Sequence, residues 1–278
     1  MNAIVVVFAL EEIPRGEVLE RERESFPKLE REREMCTLEK RGNLFILTLT
    51  GNDEHRLNPT LIDAIRAALH RVRSESTTPS ALITTAHGKF FSNGYDLAWA
   101  KTSGGPTTTI AHRLRLMSTK FRSLVNDLFS LPMPTIASVS GHASAAGYIL
   151  ALSHDYVLMR KDRGFLYMSE VDIGLNIPAW FVAVVSSKVG SGMARRDVVL
   201  RSAKLTAEVA AEIGIVDSAH DSAEETVKAA VRLGDELVAR KWDGHVYGQI
   251  RRILFADVLR SIDFDESMED AIAIASRL

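Results

Sequence analysis

The sequence predicts an α/β fold built on a parallel-rich sheet, and three observations carry that prediction. Short apolar and β-branched runs recur at 44–50, 81–85 and 135–140, the pattern of strands buried on both faces. Between them lie longer stretches with apolar residues at helical spacing, first Leu61, Ile65, Leu69 and Val72, then Ile110, Leu114, Met117, Phe121, Leu124, Leu128 and Phe129. Strand, helix, strand, loop, helix is the alternation that a sheet with crossover helices requires.

Composition narrows the class. The 278 residues are 46% hydrophobic and 25% charged, enough for one sizeable core with a smaller appendage. A formal net charge of −2 gives no electrostatic case for nucleic acid or an anionic membrane as partner. One cysteine, Cys36, excludes an internal disulfide framework and a multi-cysteine zinc site, which fits a reducing or redox-neutral compartment. No His-x-x-x-His or His/Cys cluster suggests a metal.

Three segments follow in order. Residues 1–34 read as a mobile charged extension: Ala3 to Leu10 is apolar but too short to span a bilayer, and Glu17 to Glu34 repeats Glu and Arg with no face to dock. Met35 is a candidate natural start. Residues 35–220 read as the core domain. There Gly51-Asn52-Asp53 ends the first long strand, and Asn58-Pro59 supplies an N-cap and a first-turn proline. Gly104-Gly105-Pro106 breaks the chain before the long helix, which Leu131-Pro132 stops. The run Thr135 to Ser140 is a buried strand closed by Gly141, with a helix expected from about Ser144, and a further strand runs from Asp155 to Arg160. Pro178-Ala179-Trp180 opens another helix, Thr206 to Ile213 forms a short one, and Ile215-Val216-Asp217 reads as a short strand. Residues 221–278 are helical by pattern, an oligomerisation segment with a targeting tail.

Three stretches carry chemistry. Ala145, Ala146 and Gly147 leave almost no side chain at a helix start, where backbone N–H groups lack intrahelical partners and can face an anion. Glu170 sits among Met168, Val171, Ile173, Leu175 and Ile177, so desolvation should raise its pKa. The loop Gly88-Lys89-Phe90-Phe91-Ser92-Asn93-Gly94-Tyr95-Asp96-Leu97 follows the strand at 81–85.

Together, in this order and spacing, these stretches resemble the crotonase (enoyl-CoA hydratase/isomerase) superfamily from about Leu38 to Asp217. The resemblance implies a ββα spiral core with a C-terminal helical segment. It implies that the backbone N–H groups of Tyr95 and Ala146 form an oxyanion hole for a thioester, each donor being worth about 3 kcal/mol or more. Ser92, Asn93, Gly94, Tyr95, Asp96, Leu97, Ala146 and Asn176 then surround the substrate, the Tyr95 side chain serving as a wall. Family hydratases hold water between two glutamates; here the first of those positions is Ile149 and only Glu170 remains. That pattern is similar to the Δ3,Δ2-enoyl-CoA isomerases, the plant members above all, in which one base shifts a proton from C2 to C4 and no cofactor is needed. On this reading Ile149→Glu should raise hydration.

Alternatives stand beside it. Asp172 is a rival base, expected to point away if the segment is extended; Asn176 orients Glu170, binds water or makes a turn. Arg56, Lys89 and Lys101 are candidate partners for CoA phosphates or plain surface charges. Ser144 with His142 or His154 and Asp155 holds the side chains of a hydrolase triad but lacks a nucleophile elbow. A weak hydratase, another acyl-CoA enzyme and a non-catalytic acyl-CoA-binding protein remain open. The family implies a homotrimer or dimer of trimers, and Ser276-Arg277-Leu278 fits a tripeptide read by the peroxisomal import receptor, provided the last helix frays before it.

Overall fold

The computed structural model describes residues 34–77, 79–102, 107–263 and 268–278. Two expectations, the extension over 1–33 and the break at Gly104-Gly105-Pro106, lie outside the described residues.

A six-stranded sheet forms the frame. Its strands are β1 (Cys36–Arg41), β2 (Leu44–Leu49), β3 (Ala81–Ala86), β5 (Thr135–Val139), β7 (Tyr156–Arg160) and β9 (Ser218–His220), in that spatial order. Only the β1–β2 pair is antiparallel. A second, parallel sheet holds β4 (Phe90–Ser92), β6 (His142–Ser144) and β8 (Leu166–Tyr167). The pairing shows the winding: β3 leads into β4, β5 into β6 and β7 into β8, so each coil of the chain adds one strand to each sheet. Helices α1 (Pro59–Glu75), α2 (Leu97–Lys101), α3 (Thr107–Phe129) and α4 (Ala146–Leu152) return the chain between coils.

Local chemistry explains the element ends. Asn58 accepts the Leu61 amide at 3.0 Å and Pro59 opens α1, as the sequence predicts. The helix after β6 starts at Ala146 rather than near Ser144, because the Ala143 and Ala145 amides donate to Phe165 and Tyr167 and keep that stretch in the second sheet. The last parallel strand also lies further on than Ile215-Val216-Asp217. Ile215 and Val216 donate to the Ala210 carbonyl and finish α7 (Ala207–Glu212), while the Asp217 carboxylate accepts the Val157 amide, so pairing begins at Ser218.

Both faces of the central strands β2, β3, β5 and β7 are covered, which is why these are largely apolar and buried, whereas the edge strands β1 and β9 are polar and partly exposed. Phe45, Leu47 and Leu49 face the main core, whereas Leu44, Ile46, Ile83, Ile136 and Leu158 meet α8 (Ala223–Ala239). The remaining helices are α5 (Ala179–Lys188), α6 (Gly192–Leu200), α9 (Gly244–Leu254), α10 (Ala256–Asp263) and α11 (Met268–Ala275).

Buried polar groups tie these layers together. Fully buried His154 donates from Nδ1 to the Leu150 carbonyl and accepts the Thr84 hydroxyl at Nε2 (2.8 Å), and desolvation lowers its pKa to about 4. Arg251 of α9, 3% exposed, pairs with Asp155 at 2.8 Å and donates to Thr135 Oγ1 and the Leu128 carbonyl. A buried pair of this kind is costly to break from one side. Residues 276–278 do not fray: Ser276 continues the helical bonding of α11, Arg277 donates to the Gly174 carbonyl at 2.6 Å, and Leu278 packs partly buried against the cluster that holds Leu114, Met117, Ala271 and Ala275.

Close backbone approach between the coils sets one strict demand. A Cβ on Gly147 would lie 2.2 Å from the Ser92 carbonyl oxygen, with backbone on both sides. Gly147→Ala should therefore destabilise the fold by on the order of 3 kcal/mol. Denaturant titration reads this directly, and a loss below about 1 kcal/mol would contradict the close approach.

Candidate active site

The site forms where the second sheet's strands end. The loops after β4, β6 and β8 supply Asn93 and Tyr95, then Ala145 and Ala146, then Ser169 and Glu170, all bordering one cavity of about 190 Å³. Parallel strands bring these loops to one edge, so three sequence-distant stretches meet.

The 92–97 loop is held from behind by the 54–58 loop. Asn93 N donates to Glu54 O, Leu57 N to Gly94 O and Asp96 N to Leu57 O, while the Ser92 hydroxyl donates to the His55 carbonyl. Asp96 caps α2 through the Trp99 amide and accepts from Asn58 Nδ2. Of the residues expected around substrate, Asn93, Tyr95, Leu97, Ala146 and Asn176 line the cavity. Ser92, Gly94 and Asp96 do not; they shape the loop that carries Tyr95.

The two expected oxyanion residues come together because Gly94 has no side chain. Its φ is +71°, and a Cβ there would meet Ser144 O at 3.0 Å and Ala146 N at 3.4 Å. Ala145, the N-cap of α4, has φ +50° and ψ −121° and makes no side-chain cap bond. That is a strained backbone for a residue with a Cβ, and it opens the first turn of α4 toward the cavity without a capping side chain. Tyr95 borders the cavity, and its ring meets Phe121 edge-on at 5.8 Å and Phe181 at 6.2 Å.

Glu170 is 7% exposed. Burial pushes its pKa up, opposed by hydrogen bonding from the Ser169 and Glu170 backbone, and its Oε2 has no hydrogen-bond partner among the described residues. The following residues form a turn, closed by Ile173 N to Ser169 O and Leu175 N to Glu170 O. Asp172 is therefore not on an extended segment as expected; it is exposed in the turn and does not border the cavity. Val171 and Ile173, expected to desolvate Glu170, are about half exposed, so that role falls to the rest of the pocket. Among the described residues lining the cavity, Glu170 is the sole carboxylate.

Ile149 does not face the cavity. It is fully buried in the main core, so a glutamate there would bury an uncompensated charge, and Ile149→Glu is a stability lesion rather than a clean test of hydration. The triad alternative also dissolves: His154 is spent on Leu150 and Thr84, and His142 lies between the rings of Phe90 and Phe165. Of the candidate cations, Arg56 borders the cavity and pairs with Glu54; Lys89 and Lys101 are exposed away from it. Among the described residues, no group of three or more His, Cys, Asp or Glu side chains is arranged to hold a metal ion.

Sequence reasoning missed Leu114, Arg115 and Ser118 of α3 and Ala271 and Ile274 of α11 as cavity residues. Helical periodicity marked Leu114 as buried, but nothing in the sequence indicates what it packs against.

Comparison with known proteins agrees with this geometry. Residues 39–252 match the enoyl-CoA hydratase/isomerase family. The chain is 62% identical over 226 residues to "Enoyl-CoA delta isomerase 1, peroxisomal" of Arabidopsis thaliana, covering 81% of this chain and 91% of that one. It is 56% identical over 230 residues to "Enoyl-CoA delta isomerase 3" of the same plant, covering 82% and 95%. Among solved structures, an enoyl-CoA hydratase/isomerase family protein from Pseudomonas syringae superposes with a TM-score of 0.74 at 22% identity, over 86% of this chain and 97% of that one. With the spiral of paired sheets and the three converging loops, these matches show that the chain belongs to the enoyl-CoA hydratase/isomerase family, the crotonase superfamily.

Proposed function

We propose that this protein is an enoyl-CoA delta isomerase, moving the double bond of cis- or trans-3-enoyl-CoA to give trans-2-enoyl-CoA in fatty acid β-oxidation. The observation that carries this reading is a single buried carboxylate beside two backbone turns in a largely apolar cavity. Relatives 56% and 62% identical that are named enoyl-CoA delta isomerases support it.

The chemistry follows from those parts. The ionised Glu170 carboxylate takes a proton from C2, and the electron pair moves into the thioester carbonyl to give an enolate. The amides of Tyr95 and Ala146 hold the enolate oxygen, and fixed donors of this type act most strongly in a dry site. The carbonyl re-forms, the C3–C4 double bond becomes C2–C3, and C4 takes the proton back from Glu170. One acid suffices because the same proton leaves and returns, and this sequence of steps requires no cofactor beyond the CoA thioester of the substrate. Hydration needs a second handle on water, and the cavity offers no second carboxylate among its described residues. Arg56 and Arg115 are the cations at the cavity for a CoA phosphate.

The reading extends to assembly and location. Helix α9 exposes Val246 (50%), Ile250 (61%), Ile253 (77%) and Leu254 (70%), a stripe at i, i+4, i+7 and i+8 that supports contact between copies as a trimer or dimer of trimers. Two Arabidopsis relatives are named peroxisomal, which supports a peroxisomal location, although the Ser276-Arg277-Leu278 tail is docked rather than frayed. No helix among the described residues is long and apolar enough to cross a membrane.

Glu170→Gln should lower 3-enoyl-CoA isomerisation by at least about 10²-fold and leave acyl-CoA affinity close to unchanged; unaltered turnover removes Glu170 as base. Because the base acts ionised and its pKa is raised, kcat/KM of the unmodified enzyme should fall as pH drops through a value above the ordinary carboxylate range. An acid limb at or below the ordinary glutamate pKa would contradict that environment. Ile253→Asp should convert the oligomer to smaller species in sedimentation, whereas an unchanged mass would show that the α9 stripe is not the contact.

A further inference from the structure

Several polar side chains that the proton shift does not use line the cavity, Arg56, Asn93, Arg115, Ser118 and Asn176 among them, and Ser118 stands apart because it is buried. Ser118, on α3, is 3% exposed and borders the cavity, and its Oγ has no hydrogen-bond partner among the described residues. Serines inside helices ordinarily return the hydroxyl to a carbonyl one turn back. Ser123 does so to Thr119 O at 3.1 Å, and Ser153, at the end of α4, does so to Ile149 O at 2.7 Å. Ser118 does not. On the same helix face Leu114 and Arg115 border the cavity one turn before it and Phe121 packs in the core one turn after, while Leu97, Ala271 and Ile274 supply further apolar lining.

We infer that Ser118 sets which acyl chains the cavity accepts, as a polar mark in a hydrocarbon wall that disfavours saturated tails long enough to cover it. The inference takes from the isomerase reading only that the ligand is an acyl-CoA. A hydroxyl in a cavity of about 190 Å³ has room for water as a partner. A short acyl chain leaves that water in place, whereas a longer one displaces it and puts methylene groups against an oxygen that then has no partner. Leaving a buried hydroxyl unsatisfied weakens binding by roughly tenfold. Replacing the hydroxyl with hydrogen removes that penalty, and does so only for chains that reach it.

Calorimetric titration of the full-length protein with saturated butanoyl-, octanoyl- and dodecanoyl-CoA tests this without any turnover. Ser118→Ala should tighten dodecanoyl-CoA roughly tenfold and change butanoyl-CoA by less than about twofold. Ser118→Thr, which keeps the hydroxyl, should preserve the wild-type ratio between the two even if its methyl group weakens both. An equal effect on every chain length, no effect, or weaker dodecanoyl-CoA binding in Ser118→Ala would overturn the inference. So would a shifted acid limb in the pH profile of Ser118→Ala, which would assign the hydroxyl to Glu170 instead. These thioesters have no double bond to move, so failure here leaves the isomerase reading standing, and inactivity toward 3-enoyl-CoA leaves the length test intact.

Discussion

The site depends on main chain touching main chain. Gly94 lies against the Ser144 carbonyl and the Ala146 amide, and Gly147 lies against the Ser92 carbonyl, so two successive coils of the spiral meet with no side chain between them. That contact places the Tyr95 and Ala146 backbone at one cavity, and it explains why the helix start is built from Ala145, Ala146 and Gly147. Packing of this closeness tolerates little adjustment. Geometry set by backbone in this way is insensitive to the identity of the side chains around it, which is why Tyr95 is free to serve as an apolar wall.

The carboxylate obeys a different logic. Glu170 owes its raised pKa to burial rather than to a neighbouring charge, since desolvation leads its shift and the opposing contributions are backbone hydrogen bonds. A carboxylate raised this way holds a proton more strongly than an ordinary glutamate does. The turn from Glu170 to Gly174 fixes its backbone, and Arg277 binds that turn at the Gly174 carbonyl.

Much of this was legible in the sequence, and the remainder has identifiable causes. The order of strands and helices, the Asn58 cap, the glycine loop and the buried Glu170 were all readable because each rests on local pattern: periodicity, cap chemistry, or a carboxylate among apolar residues. Sequence reading erred where long-range pairing decided the outcome. Ser144 reads as helix but joins a sheet through the β8 partner, and Ile215 and Val216 read as strand but are held by the Ala210 carbonyl. The family resemblance implies that Ile149 stands at the reaction, whereas the short α4 turns that side chain into the core. The cavity walls on α3 and α11 were invisible for a related reason: periodicity marks a face as buried without naming its partner.

Arg251 has a consequence beyond the core it occupies. It is buried in the ion pair with Asp155, while Ile250, Ile253 and Leu254 of the same helix are exposed. The outward residues are thus presented on a helix already anchored within its own subunit. In the assembly proposed above, copies of the chain would meet as pre-shaped bodies, losing little conformational freedom at the moment of encounter.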